Sequence, residues 1–355
     1  MEDGAGSRNG QVTGALYGLG AAALFGVSVP LAKILVPTTG TVMLAALLYL
    51  GAGLGVAVLS AVFRDVRGGR ESGLTRADIP LLLGIVLSGA VVGPVLLLLG
   101  LHQLSAVAAS LLLNLEAPFT ILLAVWFFRD HVGGVEIVAI GFIVLGALSL
   151  THGEGAFSAS WTGGTAVAGA CLSWAIDNNL TQRLSIRDPL AIVRVKALAA
   201  APISFALALA VGEALPPSRE LGYGMVLGLF SYGLSVVFAV RSLRLLGAAR
   251  EAAYFATAPF IGALVAAGLL GEHLGARELF AMTVMGAGVV VLLRAEHEHV
   301  HTHEAMEHDH AHVHDEHHVH EHDEPTSEPH AHVHGHAPLT HEHPHLPDVH
   351  HRHRH

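Results

Sequence analysis

The residues best suited to metal chemistry gather at one end of this chain. From His297 onward stand 23 of its 27 histidines, most of them one residue apart: His308, His310, His312 and His314; His330, His332, His334 and His336; His341, His343 and His345. On a flexible segment this spacing lets neighbouring imidazoles converge on one ion, and neutral imidazole suits Zn, Ni, Co or Cu. The interleaved Asp and Glu side chains add negative charge that draws cations. A second set of polar residues stands in apolar surroundings. Glu116 lies in the middle of a long apolar run, two residues before Pro118, where a carboxylate is costly and suits a switchable proton site. Pro118 removes a helical hydrogen bond and frees a carbonyl near Asn114, and a helix broken at mid-depth can line a cavity. Asp177 and Asn178 close another apolar run, while Arg194 and Lys196 open the next. If the chain descends through the first and returns through the second, Asp177 meets Arg194 or Lys196 near the inner surface. Buried pairs of this kind mark gates or anionic-cargo sites. By the same reckoning Glu116 and Asp177 lie at different depths.

Each of these residues also has a plainer reading. Glu116 can be a neutral packing acid, Pro118 a packing kink, and Arg194 and Lys196 long bases snorkelling to the headgroups. His102, His131 and His273 fit interfacial polar positions better than ligand positions. No nucleophile, base and orienter stand in register, and no G-x-x-x-x-G-K-[ST] phosphate loop is present. The sequence therefore points away from an enzyme or an ATP-driven pump, requires no core cofactor, and offers nothing for nucleic acid.

The elements that position these residues follow from composition. With 52% hydrophobic and 14% charged residues and a mean hydropathy of +0.54, the chain carries more apolar surface than a water-soluble fold can bury, so its partner is the lipid bilayer. Runs long enough to cross a hydrocarbon core of about 30 Å fall at 14–35, 41–63, 79–101, 106–128, 135–150, 161–180, 190–211, 221–240, 252–270 and 279–293. The first has no small-residue cleavage site and reads as a retained helix. Cys171, the single cysteine, sits within an apolar run and reads as a packed small residue. The acidity is confined to the tail. From position 295 onward 13 acids face only Arg352 and Arg354, a charge near −11, against −10 for the whole chain.

Lys and Arg collect in cytoplasmic loops. With the N-terminus inside, twelve basic residues fall at inner ends, among them Arg8, Arg64, Arg76, Arg129, Arg183 and Arg294, and three at outer ends, Lys33, Arg219 and Arg277. Both termini are then cytoplasmic, in a plasma membrane of the bacterial inner-membrane type.

The chain also repeats itself. The stretch from Gly14 to Phe25 aligns without gaps to Gly163 through Trp174, at an offset of 149. Ala117-Pro118-Phe119 matches Ala258-Pro259-Phe260, and Asp130-His131-Val132-Gly133 with Glu136 matches Glu272-His273-Leu274-Gly275 with Glu278. A repeat of five helices, being odd, inserts its second copy from the opposite side, an architecture typical of transporters.

These features resemble the EamA-type branch of the drug/metabolite transporter superfamily over residues 14 to 293. The resemblance rests on the Gly/Ala-rich openings of the first and sixth helices, on Pro118 and Pro259, and on the acids Asp130 and Glu272. Trp174-Ala-Ile-Asp177-Asn178-Asn179-Leu-Thr181 is similar to a narrower subgroup signature. Asp130 stands where Glu is commoner, and the His-rich tail lies outside the family pattern. The resemblance implies gradient-linked movement, often export, of a small metabolite, without naming the cargo.

The expected fold is thus an all-α membrane protein of about ten transmembrane helices. It comprises a cytoplasmic N-terminus (1–13), two inverted five-helix repeats (14–150 and 161–293) and a disordered His/Asp/Glu-rich cytoplasmic tail (295–355). A homodimer is a compatible assembly. The expected function is a secondary transporter exporting a small metabolite, with a metal-binding tail. The alternative is a Ni, Co or Zn efflux carrier whose tail collects cargo, and a non-transporting sensor comes last because it needs no inverted repeat.

Overall fold

The computed structural model describes residues 3–62, 73–128, 132–151, 157–184, 187–246, 248–294, 297–303, 306–312, 330–336 and 339–345. Asp130 and His131 lie outside the described residues. Eight helical rods among the described residues are long and apolar enough to cross a membrane. They are α1 (Gln11–Thr39), α2 (Thr41–Ala61), α3 (Arg76–Gln103), α4 (Ala106–Trp126), α7 (Pro189–Ala210), α8 (Ser218–Leu243), α9 (Arg250–Leu270) and α10 (Ala276–Leu293). Between α4 and α7 run two further helices, α5 (Gly134–Thr151) and α6 (Phe157–Gln182). Helix is the form such sequences must take, because hydrocarbon offers no partner for an unpaired backbone N–H or C=O.

The packing reproduces the repeat. Helix α2 lies along α7, with Gly53 against Leu198 and the start of α2 at Glu213, just past the end of α7, so the two run antiparallel. Helix α5 lies antiparallel to α10, with Gly146 at Ala281 and Met285 and Gly288 at Ala139 and Ile143. Helix α4 meets α9 in the same sense, with Ser110 at Gly262 and Ala106 at Glu272. Each of these pairs joins equivalent helices of the two halves, and two further cross-pairs, α1 with α8 and α3 with α6, exchange under the same operation. An inverted pseudo-two-fold axis therefore relates residues of α1–α5 to those of α6–α10.

Local irregularities are paired as well. Helix α3 contains a π-helical segment, Val86–Val92, and its mate α8 contains another, Leu229–Leu234. Helix α4 tightens to a 3-10 turn over Leu113–Leu115 before Pro118, and α9 is interrupted at Ala256 and Thr257 before Pro259. Proline withdraws one donor from each helix and crowds the preceding turn, which accounts for both breaks. One pair breaks the rule, since α1 is interrupted at Val27 whereas α6 runs without interruption.

Helix ends on one side of the bundle are tied by side chains. The Glu213 carboxylate accepts the N–H groups of Thr41, Val42 and Met43 at 2.7–3.2 Å, and Glu272 accepts those of Ala106 and Val107 at 2.8 Å. An anion at a helix N-terminus satisfies orphan donors and the dipole together. Lys33 does the converse, donating to Leu101 O and, at 2.7 Å, to Leu104 O at the end of α3. On the opposite side Arg187 pairs with Asp78 at 3.1 Å.

Helices α2 and α8 touch through glycine. A Cβ at Gly228 would run into the backbone carbonyl of Leu48, and one at Gly51 into that of Met225. Backbone cannot step aside as a side chain can. Gly228→Val should therefore cost at least about 1–3 kcal/mol, as overpacking generally does, and should lower the fraction of monodisperse protein in detergent size-exclusion profiles; an unchanged profile and melting temperature would refute this close approach.

In the tail the described backbone departs from the disorder expected of it. Strand β1 (His297–His303) pairs antiparallel with β4 (Leu339–His345), and β2 (Met306–His312) with β3 (His330–His336). The H-x-H alternation has the period of a strand, and the registers set His299 opposite His343 and His310 opposite His332.

Candidate functional site

Four polar residues foreseen in the sequence come together where α4, α6 and α7 meet. Asn178 Nδ2 donates to Glu116 Oε1 at 2.7 Å. One residue earlier on α6, Asp177 forms an ion pair with Lys196 of α7, and Thr181 Oγ1 reaches its other oxygen at 3.4 Å. Asp177 is 5% exposed, so the ammonium of Lys196 is what makes its charge tolerable there. Glu116 is half-buried and Asn178 exposed, so the cluster opens onto accessible space on one side.

This geometry corrects the separation in depth expected for Glu116 and Asp177. Asp177 stands one residue before Asn178 on α6, and the Asn178–Glu116 contact brings α4 and α6 together at that level. It also selects between two bases, for Lys196 reaches Asp177 while Arg194 remains half-buried elsewhere on α7.

Asn114 and Pro118 do not join the cluster. Asn114 Nδ2 donates to Leu111 O at 2.8 Å and lies 3.9 Å from Met285 Sδ of α10. Pro118 lines a separate apolar cavity of about 270 Å³ with Phe119, Ala147 and Trp161. Cys171 is fully buried, its thiol directed at Leu112 O. His102 is exposed at the end of α3, and His273 follows the capping acid Glu272.

The structure adds residues that the sequence did not single out. In the π-helical segment of α3 the Gly93 N–H bonds to Ser88 O and the next nitrogen is that of Pro94, so the Gly89 carbonyl is free to accept both Tyr49 Oη and Trp174 Nε1, each at 2.9 Å. A side chain at Gly89 would collide with the Asp177 carboxylate, so glycine here lets the ion pair pack onto bare backbone. Tyr49 meets Tyr232 at 5.6 Å with the rings tilted by 41°; Tyr232 belongs to the matching π-helical segment of α8 and meets Phe25 of α1 edge-on at 5.7 Å. The two irregular segments thus face each other across the pseudo-two-fold axis through aromatic rings. A mid-span tyrosine whose hydroxyl needs a partner was the available signal, and only five tyrosines occur in the chain.

Acid, amide, ammonium and aromatic groups so placed can bind a polar solute and exchange a proton. Among the described residues no group of three or more His, Cys, Asp or Glu is positioned to hold a metal ion.

Comparison with known proteins agrees with this architecture. An uncharacterized transporter of Methanothermobacter thermautotrophicus is 32% identical over 285 residues, covering 76% of this chain and 82% of the relative. A crystal structure described only as that of a protein superimposes with a TM-score of 0.57 at 16% identity, over 79% of this chain and 97% of the other, a likeness of fold alone. The model of the EamA-like transporter family matches twice, over residues 12–151 and 161–294, one match for each half. This multi-pass membrane protein belongs to the EamA-like transporter family.

Proposed function

We propose that the chain is a secondary transporter that exports a small metabolite through ten membrane-crossing helices, α5 and α6 included, with both termini in the cytoplasm of a bacterial cell and the His-rich tail serving as a metal-binding appendage. The observation that carries this reading is the joining of Glu116 to Asn178 and of Asp177 to Lys196 at the seam between the two halves. In inverted-repeat carriers the two halves rock about a site near the midplane, and a seam with both charges can bind an organic solute by its polar groups. A divalent metal would instead call for several carboxylate, imidazole or thiolate ligands around one point. Glu116, whose carboxylate accepts from the uncharged amide of Asn178, is the natural place for a coupling proton.

Proteoliposome uptake of labelled Zn and Ni, and of pooled metabolites, compared between the full chain and a chain ending at residue 294, separates the readings. Metabolite flux unchanged by the truncation supports the proposal. Metal flux that disappears with the tail would favour the efflux-carrier alternative.

The tail follows Arg294, past the end of α10. A peptide of residues 295–355 should bind several Zn or Ni ions at pH 7.5 and release them as pH falls through about 6.5, where free imidazole protonates. Calorimetry showing no binding at pH 7.5 would remove metal from the account. The sidedness has its own check: cysteines introduced at positions 5 and 350 of a Cys171→Ser chain should resist impermeant maleimide in intact cells. Labelling of either one would contradict the topology.

A further inference from the structure

We infer that the groove between α1 and α8 holds one acyl chain of an anionic phospholipid whose phosphate is paired with Arg219. The groove arises where the pseudo-symmetry fails. Helix α6 runs uninterrupted along α3, pressed against Gly89, Gly93 and Gly100, where any added Cβ would strike Asp177, Trp174 or Val167. The equivalent helix α1 packs as closely on α8 only in its first half, through Gly14, Gly18 and Gly20. Around the interruption at Val27 the two leave between them a cavity of about 500 Å³ lined by residues including Leu24, Val27, Ile34, Val226, Phe230 and Ser231.

The shape and chemistry of this space fit a lipid tail. Its walls are almost wholly apolar, with Ser231 the one small hydroxyl at the deep end. Along α1 it extends from Ala23 to Leu35, which at about 1.5 Å per residue is roughly 18 Å. That is little more than half of a hydrocarbon core of about 30 Å, the depth of a single leaflet. At the other end Tyr223 lines the mouth, and its hydroxyl accepts a 2.8 Å hydrogen bond from Arg219 Nε while the guanidinium lies 5.3 Å from its ring centroid. Arg219 is exposed, in the first turn of the α8 span, at the level of headgroups. Its neighbour Glu220 buries one carboxylate oxygen in the packing and attracts the guanidinium from beside it. An apolar slot one leaflet deep with an exposed cation at its rim matches a phospholipid bearing net negative charge. The groove floor adjoins Tyr232 and Phe25 of the central cluster, so an acyl chain there would seal the wall between lipid and the site.

Native mass spectrometry of delipidated full-length protein, given equal amounts of phosphatidylglycerol and phosphatidylcholine with identical chains, tests this. One retained phosphatidylglycerol is expected, favoured about fivefold, the preference one arginine near the surface supplies. Val226→Trp fills the groove from an exposed position and should lose the retained lipid. Arg219→Gln should keep a lipid without preference between headgroups. Equal retention of both lipids by the unaltered protein, undiminished retention in Val226→Trp, or an unchanged preference in Arg219→Gln would each overturn the inference.

Discussion

Replacing Lys196 with Met is expected to remove most folded protein from detergent extracts, whereas the double change Lys196→Met with Asp177→Asn restores it. Among the described residues the ammonium is the charged partner of Asp177, whose side chain is 7% exposed against 18% for Lys196. Removing one partner of such a pair leaves an uncompensated buried charge, at a cost of about 3–5 kcal/mol. Native proteins hold only about 5–15 kcal/mol in reserve, so a loss of this size empties the folded population at modest temperature. Neutralising Asp177 as well removes the stranded charge while Asn keeps the shape against Gly89. Thermal melts of the three proteins, with transport measured on the double variant, read the outcome. If Lys196→Met melts with the unaltered protein, the pair is incidental. If the double variant folds and still transports, the pair is structural and cargo is handled by Glu116 alone.

Glu116→Gln is expected to leave folding and membrane abundance intact and to lower transport to the level of empty liposomes. Glutamine retains a carbonyl oxygen where Oε1 accepts from Asn178, so the 2.7 Å contact can persist. What it cannot do is gain and lose a proton. The half-buried position of Glu116 beside an exposed amide gives a proton a route in and out, which a sealed packing acid would lack. Turnover within about twofold of the unaltered protein would make Glu116 a packing residue after all, since a proton-transfer group that matters contributes about a hundredfold or more.

The architecture was legible because lipid imposes a single solution on long apolar runs and because two short motifs, A-P-F and [DE]-H-x-G-x-x-E, recur in order. The runs expected at 79–101 and 161–180 are found as Arg76–Gln103 and Phe157–Gln182, longer at both ends. Hydropathy ends where polar residues begin, but helices continue beyond the hydrocarbon. The site was legible only in its ingredients. Glu116, Asp177, Asn178 and Lys196 announced themselves as polar residues in apolar surroundings, but which base meets which acid depends on helix rotation and stagger, and neither leaves a mark on composition. The π-helical segment left no mark, because it is a property of backbone bonding and Val-Leu-Ser-Gly-Ala-Val-Val looks like any apolar helix, but Pro94, five residues after Gly89 and without an N–H to offer, was a mark of the free carbonyl. The surroundings of Asn114 were hidden for a related reason: it stands four residues before Pro118, but its amide donates to Leu111 O and lies beside Met285 of α10. In the tail, the alternation read as a ligand pattern is also the period of a strand, and the described backbone follows it.

The most direct test of the central claim, that a polar cluster at the seam of the two halves moves an organic solute, is release from proteoliposomes loaded with a cellular metabolite extract under an imposed pH gradient. Mass spectrometry of the external medium should show at least one small organic solute leaving faster through the unaltered protein than through Glu116→Gln, with the chain ending at residue 294 behaving as the unaltered one. Release from all three preparations at the rate of empty liposomes, with only labelled Zn or Ni moving through the full chain, would contradict it.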